Sequence, residues 1–95
     1  MIGMYARSKA GHDKGILYLI IDEDGESVYV CDGRTKTMEH PKKKNKKHVQ
    51  PVKQYCDRKL LQDLKEGKTV RDEEIRKSIQ ILEEKEGKNV QGRCD

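Results

Sequence analysis

The side chains of this chain best suited to chemistry are cationic, and they come in two groups. The first is Lys9-Ala10-Gly11-His12-Asp13-Lys14-Gly15, in which two glycines flank His12, Asp13 and Lys14. Glycine tolerates positive φ and lets another backbone approach closely. A tight loop with bare amides beside cations is shaped to receive phosphate oxygens. A plain hairpin turn with solvated charges fits the same letters. The second group is Pro41-Lys42-Lys43-Lys44-Asn45-Lys46-Lys47-His48, with five lysines in six residues. Such charges repel one another, and a polyanion relieves the repulsion. A solvated loop and a nuclear-localisation run are the plainer readings. Apparent strands on both sides tether the run, and Arg34 and Lys36 precede it, which favours a nucleic-acid backbone as partner.

Catalytic chemistry finds no comparable pattern. His12, His40, His48 and Cys31 match no zinc-ligand spacing. Cys56-Asp57 resembles no nucleophile signature. The carboxylates Asp22, Glu23 and Asp24 lie in a turn, with no apolar pocket to shift a pKa. No phosphate-binding glycine pattern leads from a strand into a helix. The expectation is a non-enzyme with no metal and no cofactor.

Composition agrees with a binding role. The chain has 95 residues, 33% hydrophobic and 40% charged, with no Trp and no Phe. That suits one domain, with a compact half and a more polar, dependent half. The net charge of +4 comes from residues 1–53, with 11 Lys/Arg against 7 Asp/Glu, while residues 54–95 carry 10 of each. The longest apolar run, Ile16 to Ile21, is far too short for a membrane span or a signal-peptide core. Three widely spaced cysteines, Cys31, Cys56 and Cys94, suggest reduced thiols and no disulfide framework. A cytoplasmic location with no membrane contact is expected.

The positioning elements follow from periodicity. Strands are expected over Ile2–Ser8, Ile16–Asp22, Ser27–Cys31, Thr35–His40 and His48–Val52, with an acidic turn at Asp22–Glu26. Asp32-Gly33 signals a hairpin. Pro41–Lys47 reads as a loop. Val28 and Val30 share one face of their strand, and Tyr29 and Cys31 the other. Five short strands in about fifty residues hide their edges best by curling into a small SH3-like barrel. Two short helices follow. Leu60, Leu61 and Leu64 mark the first, capped by Gly67. Ile75, Ile79 and Leu82 mark the second, started by Thr69 or Asp72, with Glu73 and Lys77 spaced to pair. The fold class is thus mainly β with a helical tail: a barrel at 1–53, helices at 54–90 and a frayed end at 91–95. Of Tyr5, Tyr18, Tyr29 and Tyr55, most are expected to fill core. Few rings and many lysines imply recognition of backbone and shape.

The segment from Met4 to Ile21, above all "SKAGHDKG", resembles a KOW motif, in which two strands flank a glycine-centred loop. The likeness continues through "CDGRTKTMEHPKKKNKKHVQP", as in small KOW-domain RNA-binding proteins of Gram-positive bacteria. Those are similar to archaeal and eukaryotic large-subunit ribosomal proteins with an N-terminal KOW barrel. The resemblance covers residues 2–53 densely and the helices more loosely. It implies that Gly11 is the motif's central glycine. Lys9, His12, Asp13, Lys14 and Gly15 would then face RNA. His12 stands where Arg or Lys is common, so part of the grip would respond to pH.

Together these readings predict a non-catalytic RNA-binding protein, associated with ribosomes or translation, that holds structured ribosomal RNA by its phosphates. The contacts expected are Lys9, Gly11, His12, Lys14, Gly15, Arg34, Lys36, Lys42, Lys43, Lys44, Lys46 and Lys47. Neutralising about five phosphates gives a log K against log salt slope near −3.5 to −4.5. The alternative is a protein-interaction module in a ribosome- or transcription-associated complex, docking through the leucines of the first helix.

Overall fold

Branched aliphatic and tyrosine side chains build the sheet at the centre of this structure, a computed structural model. It describes residues 1–52 and 57–92, with side chains to Glu86. Lys53, Tyr55, Cys56 and Cys94 lie outside the described residues. Five strands, β1 (Tyr5–Ser8), β2 (Leu17–Asp24), β3 (Ser27–Cys31), β4 (Lys42–Asn45) and β5 (Val49–Val52), form one antiparallel sheet in the order β4-β3-β2-β1-β5. Among the described residues no ladder joins β4 to β5, so the sheet is not closed. A one-turn 3-10 helix, Lys46–His48, carries the chain from one edge strand to the other. Two helices follow, α1 (Arg58–Lys65) and α2 (Asp72–Gly92).

Both faces of the sheet are covered, and this decides which residues are buried. One face carries Ala6, Tyr18, Ile20, Val28, Val30 and Val49. The other carries Tyr5, Leu17, Leu19, Cys31 and Val52, packed with Leu60, Val70, Ile75, Ile79 and Leu82 of the helical half. Strand alternation sends Val28 and Val30 one way and Cys31 the other, as expected. Tyr5 and Ala6 are both fully buried although they point to opposite faces. Each large aliphatic side chain so buried contributes about 1.5–3 kcal/mol. The helices are therefore part of the main core. The β2–β3 ladder carries one irregularity. Leu19 pairs with Cys31 and Ile20 with Val30, but Asp22 pairs with Tyr29, leaving Ile21 as an extra residue in β2. Such a bulge bends and twists its strand.

Several sequence expectations are corrected. β1 begins at Tyr5, not Ile2, and β2 runs from Leu17 through the acidic residues to Asp24, leaving the turn to Gly25 and Glu26. Thr35–His40 is not a strand, because its surroundings hold it as a loop. Asp32 Oδ1 accepts the backbone N–H groups of Arg34 at 2.8 Å and Lys36 at 3.0 Å. Asp72 Oδ1 accepts Met38 N–H at 2.8 Å, and Arg76 Nη1 donates to the Gly33 carbonyl at 2.9 Å. Gly33, at φ 79°, is so close to α2 that a Cβ would lie 2.3 Å from the Asp72 carbonyl oxygen. The lysine run is not all loop, since Lys42–Asn45 is strand β4.

Helix ends obey local chemistry. Asp57 caps α1 by accepting Leu60 N–H at 3.1 Å. Gly67 ends it at φ 74°, with Gly67 N–H bonded to Leu64 O and Lys68 N–H to Asp63 O. That is the paired pattern glycine allows after a helix. For α2 the cap is neither Thr69 nor Asp72. Glu74 Oε2 accepts Arg71 N–H at 3.1 Å, one half of a capping box. Glu73 meets Arg71 Nη1 at 3.5 Å, and the Glu73–Lys77 pair does not form. Helix α2 spans 21 residues and runs to Gly92, and the rest of the tail expected to fray, 93–95, lies outside the described residues. A glycine inside a helix costs only about 1 kcal/mol, which 21 residues of propagated helix absorb.

Candidate nucleic-acid interface

The glycine loop and the lysine strand meet at one carboxylate. Asp13 Oδ2 accepts from Tyr18 Oη at 2.8 Å and from Lys42 Nζ at 3.0 Å. Asp13 Oδ1 accepts from Ser8 Oγ at 2.9 Å and from Lys44 Nζ at 3.1 Å. Lys44 Nζ also donates to the Ala10 carbonyl at 3.4 Å. Nearby, Lys9 N–H donates to His48 O at 2.8 Å, joining the loop to the segment after β4.

The period of the strand explains which lysines do this. In β4, Lys42 pairs with Val30 and Lys44 with Val28, while Lys43 pairs with Tyr29. Side chains two apart share a face. Lys42 and Lys44 therefore lie over the valine face and reach Asp13, and Lys43 lies on the other face, with its Nζ 5.9 Å from the centre of the Tyr29 ring. Lys44 is only 8% exposed. The expectation of a free lysine loop is thus corrected, with Lys42 and Lys44 committed internally. Lys46 is also paired, at 2.8 Å from Glu23 Oε2.

Electrostatics reflect these bonds. Burial pushes the Asp13 carboxyl up, but hydrogen bonds from Lys42, Tyr18, Lys44 and Ser8 outweigh it and hold the group well below the usual carboxylate range. Burial first, then the bond to Asp13, pushes the Tyr18 hydroxyl above its ordinary value. The bonds from Lys46 and from the amino group of Met1 bring Glu23 down to about 2. On the opposite face of the sheet, burial and then Asp72 and Asp32 push the Cys31 thiol up to about 12.

The remaining site candidates fall into place around this cluster. Lys9, Gly11, His12, Lys14 and Gly15 are exposed on the loop, with Gly11 at φ 91° and Gly15 at φ 90°. Lys43, Lys47 and Arg34 are exposed, and Lys36 is half-buried. Among the described residues, no carboxylate forms an ion pair with Lys9, Lys14, Arg34, Lys36, Lys43 or Lys47. Arg34 and Gly15 line one groove beside α2, so the loop has the lysine strand on one side and an arginine on the other. Arg7 lies beneath, donating to the Gly15 carbonyl at 2.8 Å and pairing with Glu86.

Sequence reading missed the roles of Asp13, Ser8 and Tyr18 as the clasp. The signal available was the lone carboxylate inside a cationic loop, together with alternation in the lysine run. It also assigned Leu60, Leu61 and Leu64 to a docking patch. Leu60 lies in the core, Leu64 packs against it, and Leu61 abuts Gly3. Among the described residues, no group of His, Cys, Asp or Glu is placed to hold a metal ion, and no helix is long and apolar enough to cross a membrane. Compared with known proteins, the chain matches no family model and no curated protein sequence.

Proposed function

We propose that this protein binds structured RNA, ribosomal RNA being the favoured target, and that its strands form a KOW barrel of the SH3-like kind. The observation that carries the reading is the Asp13 clasp. By tying Lys42 and Lys44 to the glycine loop, it brings two cationic segments side by side and fixes them. Lys9, Lys14, Arg34, Lys43 and Lys47 then offer charge that no carboxylate among the described residues holds in an ion pair, while Gly11 and Gly15 expose backbone beside them. His12 adds charge when protonated. A rigid array of this kind loses little entropy on meeting a polyanion.

Five such cations predict a slope of log K against log salt near −3.5 to −4.5. Fluorescence anisotropy with a labelled ribosomal RNA fragment, titrated at several salt concentrations, measures it. Affinity indifferent to salt defeats the proposal. Retained binding to a protein partner, with no affinity for RNA, would favour a protein-interaction module in a ribosome- or transcription-associated complex. The sequence resemblance to KOW proteins supports a barrel. The role is non-catalytic, needs no cofactor and fits the cytoplasm.

A further inference from the structure

Beside the glycine loop lies a groove of about 260 Å³ whose lining does not suit phosphate. Its floor is apolar, made by Leu17 of β2 and Ile79 of α2. At its mouth stands Ile16, 45% exposed and the one large hydrophobic side chain so exposed among the described residues. Arg34 and Arg76 supply flat guanidinium planes. Gln80, Asp32 and Glu83 supply polar edges. The two carboxylates offset the two guanidinium groups, so the groove itself carries no net positive charge to hold a phosphate. The carboxylates would instead accept hydrogen bonds from an amino group.

We propose that this groove receives one unpaired nucleobase bearing an exocyclic amino group, from the RNA whose phosphates lie on the glycine loop. The inference rests on the RNA-binding reading above and deepens it. An unstacked base has two apolar faces and a polar rim. Ile16 and the guanidinium of Arg34 match the faces, because Arg planes and apolar side chains both stack on bases. Asp32 and Glu83 match an amino-bearing rim, as carboxylates do for the amino group of cytosine. Gly15 belongs both to the groove and to the loop, so a nucleotide held there is adjacent to the phosphates gripped at Gly11 to Lys14. Asp32 keeps the groove in shape through its bonds to Arg34 N–H and Lys36 N–H. The groove thus adds preference for an unpaired A, C or G to a grip that otherwise reads only backbone.

The test compares four RNA hairpins of one sequence: fully paired, or with a single bulged A, C or U. The full chain and the Ile16→Ser and Glu83→Gln variants are titrated against each at fixed salt. The expected result is tighter binding of the A and C bulges than of the U bulge or the paired hairpin. Ile16→Ser should remove roughly five-fold or more of that preference. It should leave the paired hairpin and the salt slope unchanged. Glu83→Gln should narrow the gap between A or C and U. Equal affinity for all four hairpins overturns the groove proposal alone. Loss of affinity in Ile16→Ser that is uniform across the hairpins also overturns it. Absence of binding to any hairpin overturns both this proposal and the RNA-binding reading.

Discussion

The ammonium group of Lys44 sits 3.1 Å from the carboxylate of Asp13, across 31 residues of sequence, and both groups are largely shielded from water. Asp13 is held in turn by Lys42, Tyr18 and Ser8. Removing the anion strands a buried cation. Asp13→Asn should therefore destabilise the fold by about 3 kcal/mol, read from urea denaturation. Asp13→Asn combined with Lys44→Met should recover part of that loss, because no unpaired charge is left inside. Equal costs for the single and double variants would mean that the pair does not couple.

The same carboxylate sets an acid limit. Its folded pKa lies below its ordinary value of 3.8. Below that ordinary value the unfolded chain binds a proton that the folded chain refuses, so stability falls as pH falls. The contribution is complete above about pH 5 and is lost progressively below about pH 4. Glu23, brought down to about 2, acts in the same direction. Melting temperature plotted against pH should drop steeply below pH 4 in the native chain and more gently in Asp13→Asn.

Lysines of one run should divide into two classes. Lys43→Gln and Lys47→Gln should each lower RNA affinity and reduce the salt slope by about 0.7–0.9, with melting temperature unchanged. Lys44→Gln should lower the melting temperature and do its damage to binding through the fold. A salt titration paired with a thermal melt for each variant separates these outcomes.

Glycines at positive φ should also differ. Gly15→Ala meets no atom within 4 Å and carries only the strain of φ 90°. Its cost should be about 1–2 kcal/mol. Gly33→Ala adds a clash with the Asp72 carbonyl at 2.3 Å and with Arg76 N at 2.9 Å. Its cost should exceed that of Gly15→Ala by about 1–3 kcal/mol, measured by chemical denaturation.

The Cys31 thiol should resist alkylation. It is fully buried and pushed up to about 12 by that burial and by Asp72 and Asp32. The thiolate is the reactive form. Iodoacetamide at neutral pH should label the Cys31 peptide only after denaturant is added, as mass spectrometry of the digest will show.

Local rules made parts of this architecture readable from the letters. Gly67 ends α1 because its backbone bonds lie within one turn, and Val28 and Val30 share a face because strand period is intrinsic. Two errors arose where distant contacts override local preference. Lysine disfavours strands, yet Lys42–Asn45 pairs with β3 because Lys42 and Lys44 find Asp13. Thr35–His40 has strand-like letters, yet Asp72 and Asp32 claim its backbone N–H groups, and Arg76 holds the Gly33 carbonyl just before it. The cationic loop was legible as a candidate contact, but its clasp was not, since no short pattern links Asp13 to a residue 31 positions away. The bulged Ile21 likewise left no mark in composition.

Parity along β4 makes spacing matter more than basicity. A single-residue deletion inside Lys42–Lys44 would leave the segment nearly as rich in lysine. Every side chain beyond the deletion would nonetheless turn to the opposite face of the sheet. The ammonium group now sealed against Asp13 would face solvent, and a neighbour would be forced inward in its place. Two chains of almost identical composition would then differ in whether this edge is stitched shut.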